Sequence, residues 1–397
     1  MTKLSSRLTL LTESETIVMS RKSRELQVQG IDIINLSLGE PDFNTPDHIK
    51  AAARQAIDQN ITHYPPVAGF PVLRKAIVAK LKEDNDLDYT CDEVMVSNGG
   101  KHCIANVLLS IIGEGDEVIL PAPYWVSYRE MVKLAEGKNV FVSAGIDQEF
   151  KITPAQLESA ITPHTRVFIL NSPSNPTGSV YSVAEIEALA EVLQRHPRII
   201  IISDEIYEKI LFEGEHVSIA HIKDMKSRVV IVNGVSKAYA MTGWRIGYMA
   251  GPRWIIKACI KLQGQITSGP CAIAQMAALA AITGTQGPTE EMRDAFLRRR
   301  DLVVRMVQAI PGMKVNLPKG AFYLFPDVSA FFGKQYQGRV INDANDLSIF
   351  LLDVANVAIV AGNAFGAPDC LRFSFAESEE RLKEAMLRIS RALALLE

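Results

Sequence analysis

Between residues 94 and 250 the hydrophobic positions fall in short unbroken runs rather than in strict alternation. They are Val94-Met95-Val96, Glu117-Val118-Ile119-Leu120, Val140-Phe141-Val142, Val167-Phe168-Ile169-Leu170, Ile199-Ile200-Ile201-Ile202 and Val229-Val230-Ile231-Val232. Continuous runs rich in β-branched residues predict strands buried on both faces of a mainly parallel sheet. Between two of them, Ile186, Leu189 and Leu193 repeat at helical spacing, which predicts a crossover helix from Val183 to Leu193. The fold class this implies is α/β, a mainly parallel central sheet with flanking helices.

Past about residue 295 the pattern changes. Phe296 to Met306 reads as part of a long helix, with Arg298-Arg299-Arg300-Asp301 as its solvated face. A Pro318-Lys319-Gly320 turn follows, then the short apolar runs Ala321-Phe322-Tyr323-Leu324 and Val357-Ala358-Ile359-Val360, then an amphipathic helix from about Glu379. This mixture predicts a smaller α+β domain. We therefore divide the chain into an N-terminal arm and part of the small domain (1–47), a large domain (48–295) and a C-terminal small domain (296–397).

Composition narrows the choice of partners. At 397 residues, 48% hydrophobic and 22% charged, the chain has material for a large core, and its net charge of −3 offers no attraction to nucleic acid or an anionic membrane. Small solutes are the expected partners. Five scattered cysteines without C-x-x-C spacing indicate neither a disulfide framework nor a metal site, and are read as small buried hydrophobes. Leu8-Thr9-Leu10-Leu11 is too short for a signal-peptide core, Glu13 and Glu15 follow it, and no run approaches the ~20 apolar residues of a membrane span. A soluble cytoplasmic protein is expected.

The candidate chemistry gathers just after the predicted strands, at the edge where open α/β sheets bind ligands. Ser236 and Lys237 follow Val229 to Val232, and Arg245 comes soon after. An amine able to form an imine, beside groups able to hold a phosphate, fits pyridoxal 5′-phosphate; partial desolvation near positive charge would depress the lysine pKa as imine chemistry requires. Asn171 to Gly178 is either a rigid turn or a loop that aims Asn175 at a ligand oxygen. Asp204 is either a cap or an anion facing a cationic ligand nitrogen, with Tyr207 in reach of a phenolic oxygen. Gly99-Gly100-Lys101 suits a tight turn or a phosphate at a helix N-terminus. Trp125 suits the core or a platform for a ring.

In order and spacing, the lysine motif, Asn175-Pro176-Thr177-Gly178 and Ser203-Asp204-Glu205-Ile206-Tyr207 resemble the class I aminotransferases of fold type I. From Gly39-Glu40-Pro41-Asp42-Phe43 to Arg372-Phe373-Ser374 the whole chain resembles their bacterial aspartate/prephenate subgroup. The resemblance implies Lys237 as the Schiff-base lysine and Asp204 as partner of the pyridinium nitrogen. It implies Asn175 and Tyr207 at the phenolic oxygen, Trp125 stacked on the ring, and Ser236, Arg245 and Gly100-Lys101 at the phosphate. Tyr64 resembles a tyrosine that reaches the phosphate across a homodimer interface, and Gly39 and Arg372 resemble the receivers of the substrate α-carboxylate. Read locally, Arg372 is an outward-pointing strand residue and Tyr64 an aromatic packed in a turn.

The implied activity is amino-group transfer between an L-amino acid and a 2-oxo acid in two half-reactions. A C–S β-lyase of the same fold and a non-catalytic cofactor-binding sensor are the alternatives. Ser14, Thr16 and Lys101 resemble positions that hold an acidic side chain, which favours aspartate or glutamate. The chain departs from many relatives at Thr12-Glu13, where they carry Lys-Pro with a lysine associated with prephenate, so prephenate is expected to be a poor substrate.

Overall fold

A computed structural model describes residues 5–13 and 15–397. Its centre is a seven-stranded sheet: β1 (Val94–Ser97), β2 (Glu117–Ala122), β3 (Lys138–Ser143), β4 (Thr165–Asn171), β5 (Ile200–Asp204), β6 (Val229–Gly234) and β7 (Gly247–Ala250), in the order β1-β7-β6-β5-β4-β2-β3. Only β7 runs against its neighbours; it is antiparallel to both β1 and β6, and every other pair is parallel. The C-terminal ends of the other six strands therefore share one edge with the start of β7.

Each of the six predicted runs falls on one of these strands, with only Ile199 standing just outside. Val229 to Val232 are all fully buried, and cutting one such side chain to Ala costs about 2–5 kcal/mol. β3, one of the two edge strands, departs from the expectation and leaves Phe141 47% exposed. The crossover helix Val183–Gln194 starts on a capping box, with the Ser182 hydroxyl accepting from the Glu185 N–H and the Glu185 carboxylate accepting from the Ser182 N–H.

A second core joins the two ends of the chain. Ile34 and Leu36 pack with Phe296, Phe322, Leu347, Phe350, Phe373 and Ile389, and Ile34–Asn35 pairs in parallel with Val357–Ala358. Beside it lies a three-stranded sheet of Val360–Ala361, Leu371–Ser374 and Tyr323–Leu324. The terminal helix, Glu379–Leu393, contributes Leu382, Met386 and Ile389 to this core.

Two expectations are corrected. In helix Gly287–Gln308, Arg299 and Arg300 are only 7% and 6% exposed; Arg299 forks onto Asp42 at 2.6 and 2.9 Å, and Arg300 reaches Glu213 at 2.7 Å. Successive helical residues turn by about 100°, so three adjacent arginines do not share one solvated face. Among the cysteines, Cys103, Cys259 and Cys370 are buried as expected, but Cys91 is half-buried and Cys271 exposed, just before helix Ala272–Thr283. Among the described residues no helix is long and apolar enough to cross a membrane.

Candidate active site

A cavity of about 420 Å³ opens at the shared strand edge. The segment after β1 gives it Gly100 and Lys101, that after β2 Trp125, β4 and its loop Asn171 and Asn175, β5 and its turn Asp204 and Tyr207, and that after β6 Ser236 and Lys237. Arg245 reaches the same edge because it precedes the antiparallel β7. Gly39, Thr16 and Arg372 complete the part of the lining anticipated from sequence.

Lys237 is half-buried, with its ammonium 2.5 Å from the Gly39 carbonyl and 6.0 and 5.9 Å from the ring centres of Tyr207 and Phe322. Burial, aided by the charges of Arg372 and Arg245, lowers its pKa to about 8 against the opposing pull of Glu40 and Asp204. Asp204 is 5% exposed; its carboxylate accepts from the Tyr128 hydroxyl at 2.5 Å and the Ile206 N–H at 3.3 Å. Burial nevertheless pushes its pKa up to about 6, so these partners do not fully offset the cost of a buried charge.

The helix Gly100–Ile111 starts at the cavity, beside Ser236 and Arg245, and its first N–H groups have no partner within the helix. Two glycines make this approach possible. Gly99 has φ +88°, and a Cβ there would collide with the Arg245 guanidinium; a Cβ on Gly247 would collide with the Gly100 nitrogen. Arg245 donates to the carbonyls of Thr242 at 2.8 Å and Asn98 at 3.3 Å. Lys101 has its ammonium 5.1 Å from the centre of the Trp125 ring, and its pKa is lowered by burial and by Arg245.

Arg372, read locally as outward-pointing, is 2% exposed. It donates from Nη1 to Asn175 Oδ1 at 3.1 Å and from Nη2 to the Ser37 carbonyl at 2.5 Å, while Nε is buried with no hydrogen-bond partner. The rings of Tyr323 and Phe365 flank the guanidinium at 4.7 and 4.9 Å. It lines the cavity as a buried cation with donors to spare, and it pairs with no carboxylate among the described residues. Tyr207 shares a 2.8 Å hydrogen bond with the Tyr323 hydroxyl.

Other residues stand elsewhere. Tyr64 is 95% exposed and outside the cavity of its own chain, which corrects the packed-turn reading. Ser14 lies outside the described residues. Thr12 donates to Glu130 from its N–H and its hydroxyl, both at 3.0 Å, and Glu13 pairs with Arg21 at 2.8 Å. Glu13 and Glu15 line a neighbouring cavity of about 220 Å³ that shares Lys101 with the first. Sequence reasoning missed Tyr128, Tyr323, Ser37 and Arg24, all of which line the main cavity. Tyr323 hides in an apolar run and Tyr128 in a helical segment. Arg24 carries a usable signal, being two helical turns beyond Thr16 on helix Glu15–Val28.

A family model described as aminotransferase class I and II matches residues 31–389. The chain belongs to that family. The aspartate/prephenate aminotransferase of Cereibacter sphaeroides is 49% identical to it over 389 residues, with 97% of each chain covered. The aspartate aminotransferase of Geobacillus stearothermophilus is 47% identical over 394 residues, with 98% of each covered. Two solved structures have the same fold: the aspartate aminotransferase from Rhizobium meliloti, at TM-score 0.97 and 43% identity with 100% of each chain covered, and that of Thermus thermophilus with maleate, at TM-score 0.93 and 42% identity with 99% and 100% covered.

In this aminotransferase the donor set fits a phosphorylated, cationic aromatic aldehyde. Lys237 offers an amine whose neutral form is within reach near neutral pH, and Asp204 a buried carboxyl that a cation would hold ionised. The helix start, Ser236 and Arg245 suit a phosphate, and the orphaned Nε of Arg372 marks a place for a further anion.

Proposed function

We propose that this aminotransferase uses pyridoxal 5′-phosphate and moves the amino group of aspartate or glutamate to a 2-oxo acid. The observation that carries the reading is one cavity holding Lys237 and Asp204, both shifted from their ordinary pKa, together with Arg372, whose free donors await an anion. When bound, pyridoxal 5′-phosphate supplies a carbonyl carbon for the amino group and a ring that accepts electrons from the substrate α-carbon. Asp204 keeps the ring nitrogen protonated, Asn175 and Tyr207 hold the phenolic oxygen, and Trp125 stacks on the ring. Gly100, Lys101, Ser236 and Arg245 hold the phosphate. Arg372 and Gly39 fix the α-carboxylate, and the amine of Lys237 takes the proton from the substrate α-carbon.

Lys101, Thr16 and Ser14 are assigned to the distal carboxylate; Lys101 and Thr16 line the cavity, and the Thermus thermophilus relative with maleate, a dicarboxylate, supports this choice. Prephenate is assigned as a poor substrate, since Thr12 stands where the family resemblance implies a lysine and is tied to Glu130. We assign residues 48–295 to the large domain and 1–47 with 296–397 to the arm and small domain, which the core shared by Ile34 and Phe373 supports. A homodimer in the cytoplasm, with Tyr64 serving the partner's site, completes the proposal. An amino-donor panel with 2-oxoglutarate or oxaloacetate as acceptor tests it: aspartate and glutamate should react fastest, and a preference for aromatic or branched donors would overturn the substrate assignment.

A further inference from the structure

The turn after β5 carries acidic side chains in two directions. Asp204 and Tyr207 line the active-site cavity, whereas Glu205 and Glu208 enter a separate buried ion network. Glu205, 1% exposed, accepts from the hydroxyls of Ser203 at 2.7 Å and Ser218 at 2.6 Å and meets the His216 ring nitrogen at 3.1 Å. Glu208 is in contact with the ammonium of Lys80 and accepts from the Asn85 amide at 3.2 Å. Lys80, on helix Pro71–Asn85, has a side chain only 6% exposed, so its charge is spent on this turn. Glu205, Glu208 and His216 bring their ligand atoms within 4.8 Å of one another, but Lys80 already supplies the cation there.

We propose that Lys80 and His216 are positioning residues: through Glu208 and Glu205 they fix the turn that carries Tyr207 and Asp204, and they balance the charge immediately behind Asp204. This rests on the assignment of Asp204 to the ring nitrogen. Adjacent residues of one turn share a backbone, so anchoring Glu205 and Glu208 limits the rotation of Asp204 and Tyr207. The charge balance follows from the same contacts. After burial, the charge of Glu205 is what raises the Asp204 pKa. His216 stays above the ordinary imidazole value; burial opposes its protonation, but the hydrogen bond and charge of Glu205 and the charge of Glu208 outweigh it, with Lys80 opposing. Asp84 lies 3.7 Å from Lys80 and 2.8 Å from Lys209, and the phenols of Tyr89, Tyr239 and Tyr248, raised by burial and by nearby carboxylates, stay neutral. On the cavity side, Tyr128 and Lys237 act on Asp204.

The test measures equilibrium binding of pyridoxal 5′-phosphate to the full chain freed of cofactor, as a function of pH, in the wild type, Glu205→Gln and His216→Gln. Removing the anion should move the acid midpoint of binding down, by only roughly a few tenths of a pH unit because His216 then loses the partner that keeps it protonated, and removing the cation alone should move it up by a similar amount. Lys80→Gln, which removes the other cation, should also move it up and serves if His216→Gln does not fold. Opposite shifts are the expected result, because a purely structural role would weaken all variants without moving their midpoints in opposite directions. Shifts of one sign, or an unmoved midpoint in all variants, would overturn the inference while leaving the cofactor assignment intact. A wild type that does not bind pyridoxal 5′-phosphate would overturn both.

Discussion

Replacing Asp204 by Asn should make the cofactor-free protein more stable and the loaded enzyme much slower. Asn keeps an oxygen to accept from Tyr128 and Ile206 but removes the titration. In the wild type, burial raises the carboxyl from 3.8 to about 6, so below about pH 4 it is neutral in both folded and unfolded chains and carries no penalty. As the pH rises through that window the unfolded chain ionises first, and stability is lost until the folded carboxyl ionises too. Above about pH 6 the penalty is full, roughly 3 kcal/mol for a shift of this size. Urea unfolding at fixed protein concentration should therefore find the Asn variant more stable by roughly 3 kcal/mol at about pH 8, with the gap closing toward about pH 4. Its single-turnover rate with aspartate should fall by roughly 10²-fold or more, since a neutral amide does not hold the ring nitrogen protonated. A stability gap that ignores pH, or an unchanged turnover, would refute the reasoning.

Arg372→Leu should lower kcat/KM for aspartate and alanine alike, because both carry the α-carboxylate. Losing two charge-assisted hydrogen bonds, each about 1.5–3 kcal/mol, predicts roughly 10²- to 10⁴-fold in steady-state kinetics, and a loss confined to aspartate would place Arg372 at the other end of the substrate. Lys101→Ala should reduce kcat/KM for aspartate far more than for alanine; equal losses would confine Lys101 to the phosphate. Mixing inactive Lys237→Ala and Tyr64→Ala proteins should restore activity in about a quarter of the sites after subunit exchange, whereas proven exchange without recovery would argue against a shared site.

Much of this architecture was legible because local and global signals agree. The six strands that run in one direction carry short apolar runs rich in β-branched residues, and the helix at Val183–Gln194 carries both its capping box and its apolar stripe. β7 escaped notice because its four residues sit inside the glycine-rich stretch that follows Lys237, where small residues mask a strand. Strand ends also pointed to Asp204, Asn175 and Lys237, and all three line one cavity. Arg372 was a different case: nothing in Leu371-Arg372-Phe373 distinguishes a guanidinium buried between two rings from one in water, and only tertiary packing decides. The same limit hid Tyr323 and led Arg299 and Arg300 to be read as solvated, since their partners Asp42 and Glu213 are remote in sequence.

The central claim is that Lys237 forms the covalent bond to the cofactor, and borohydride reduction of the loaded enzyme followed by peptide mass mapping tests it most directly. Reduction makes the carbon–nitrogen link permanent, so the labelled residue reads out which amine held it. A pyridoxyl-phosphate mass on the peptide containing Lys237, absent from Lys237→Ala, is the predicted result. A label on Lys101 or another lysine, or an undiminished label in Lys237→Ala, would contradict the account.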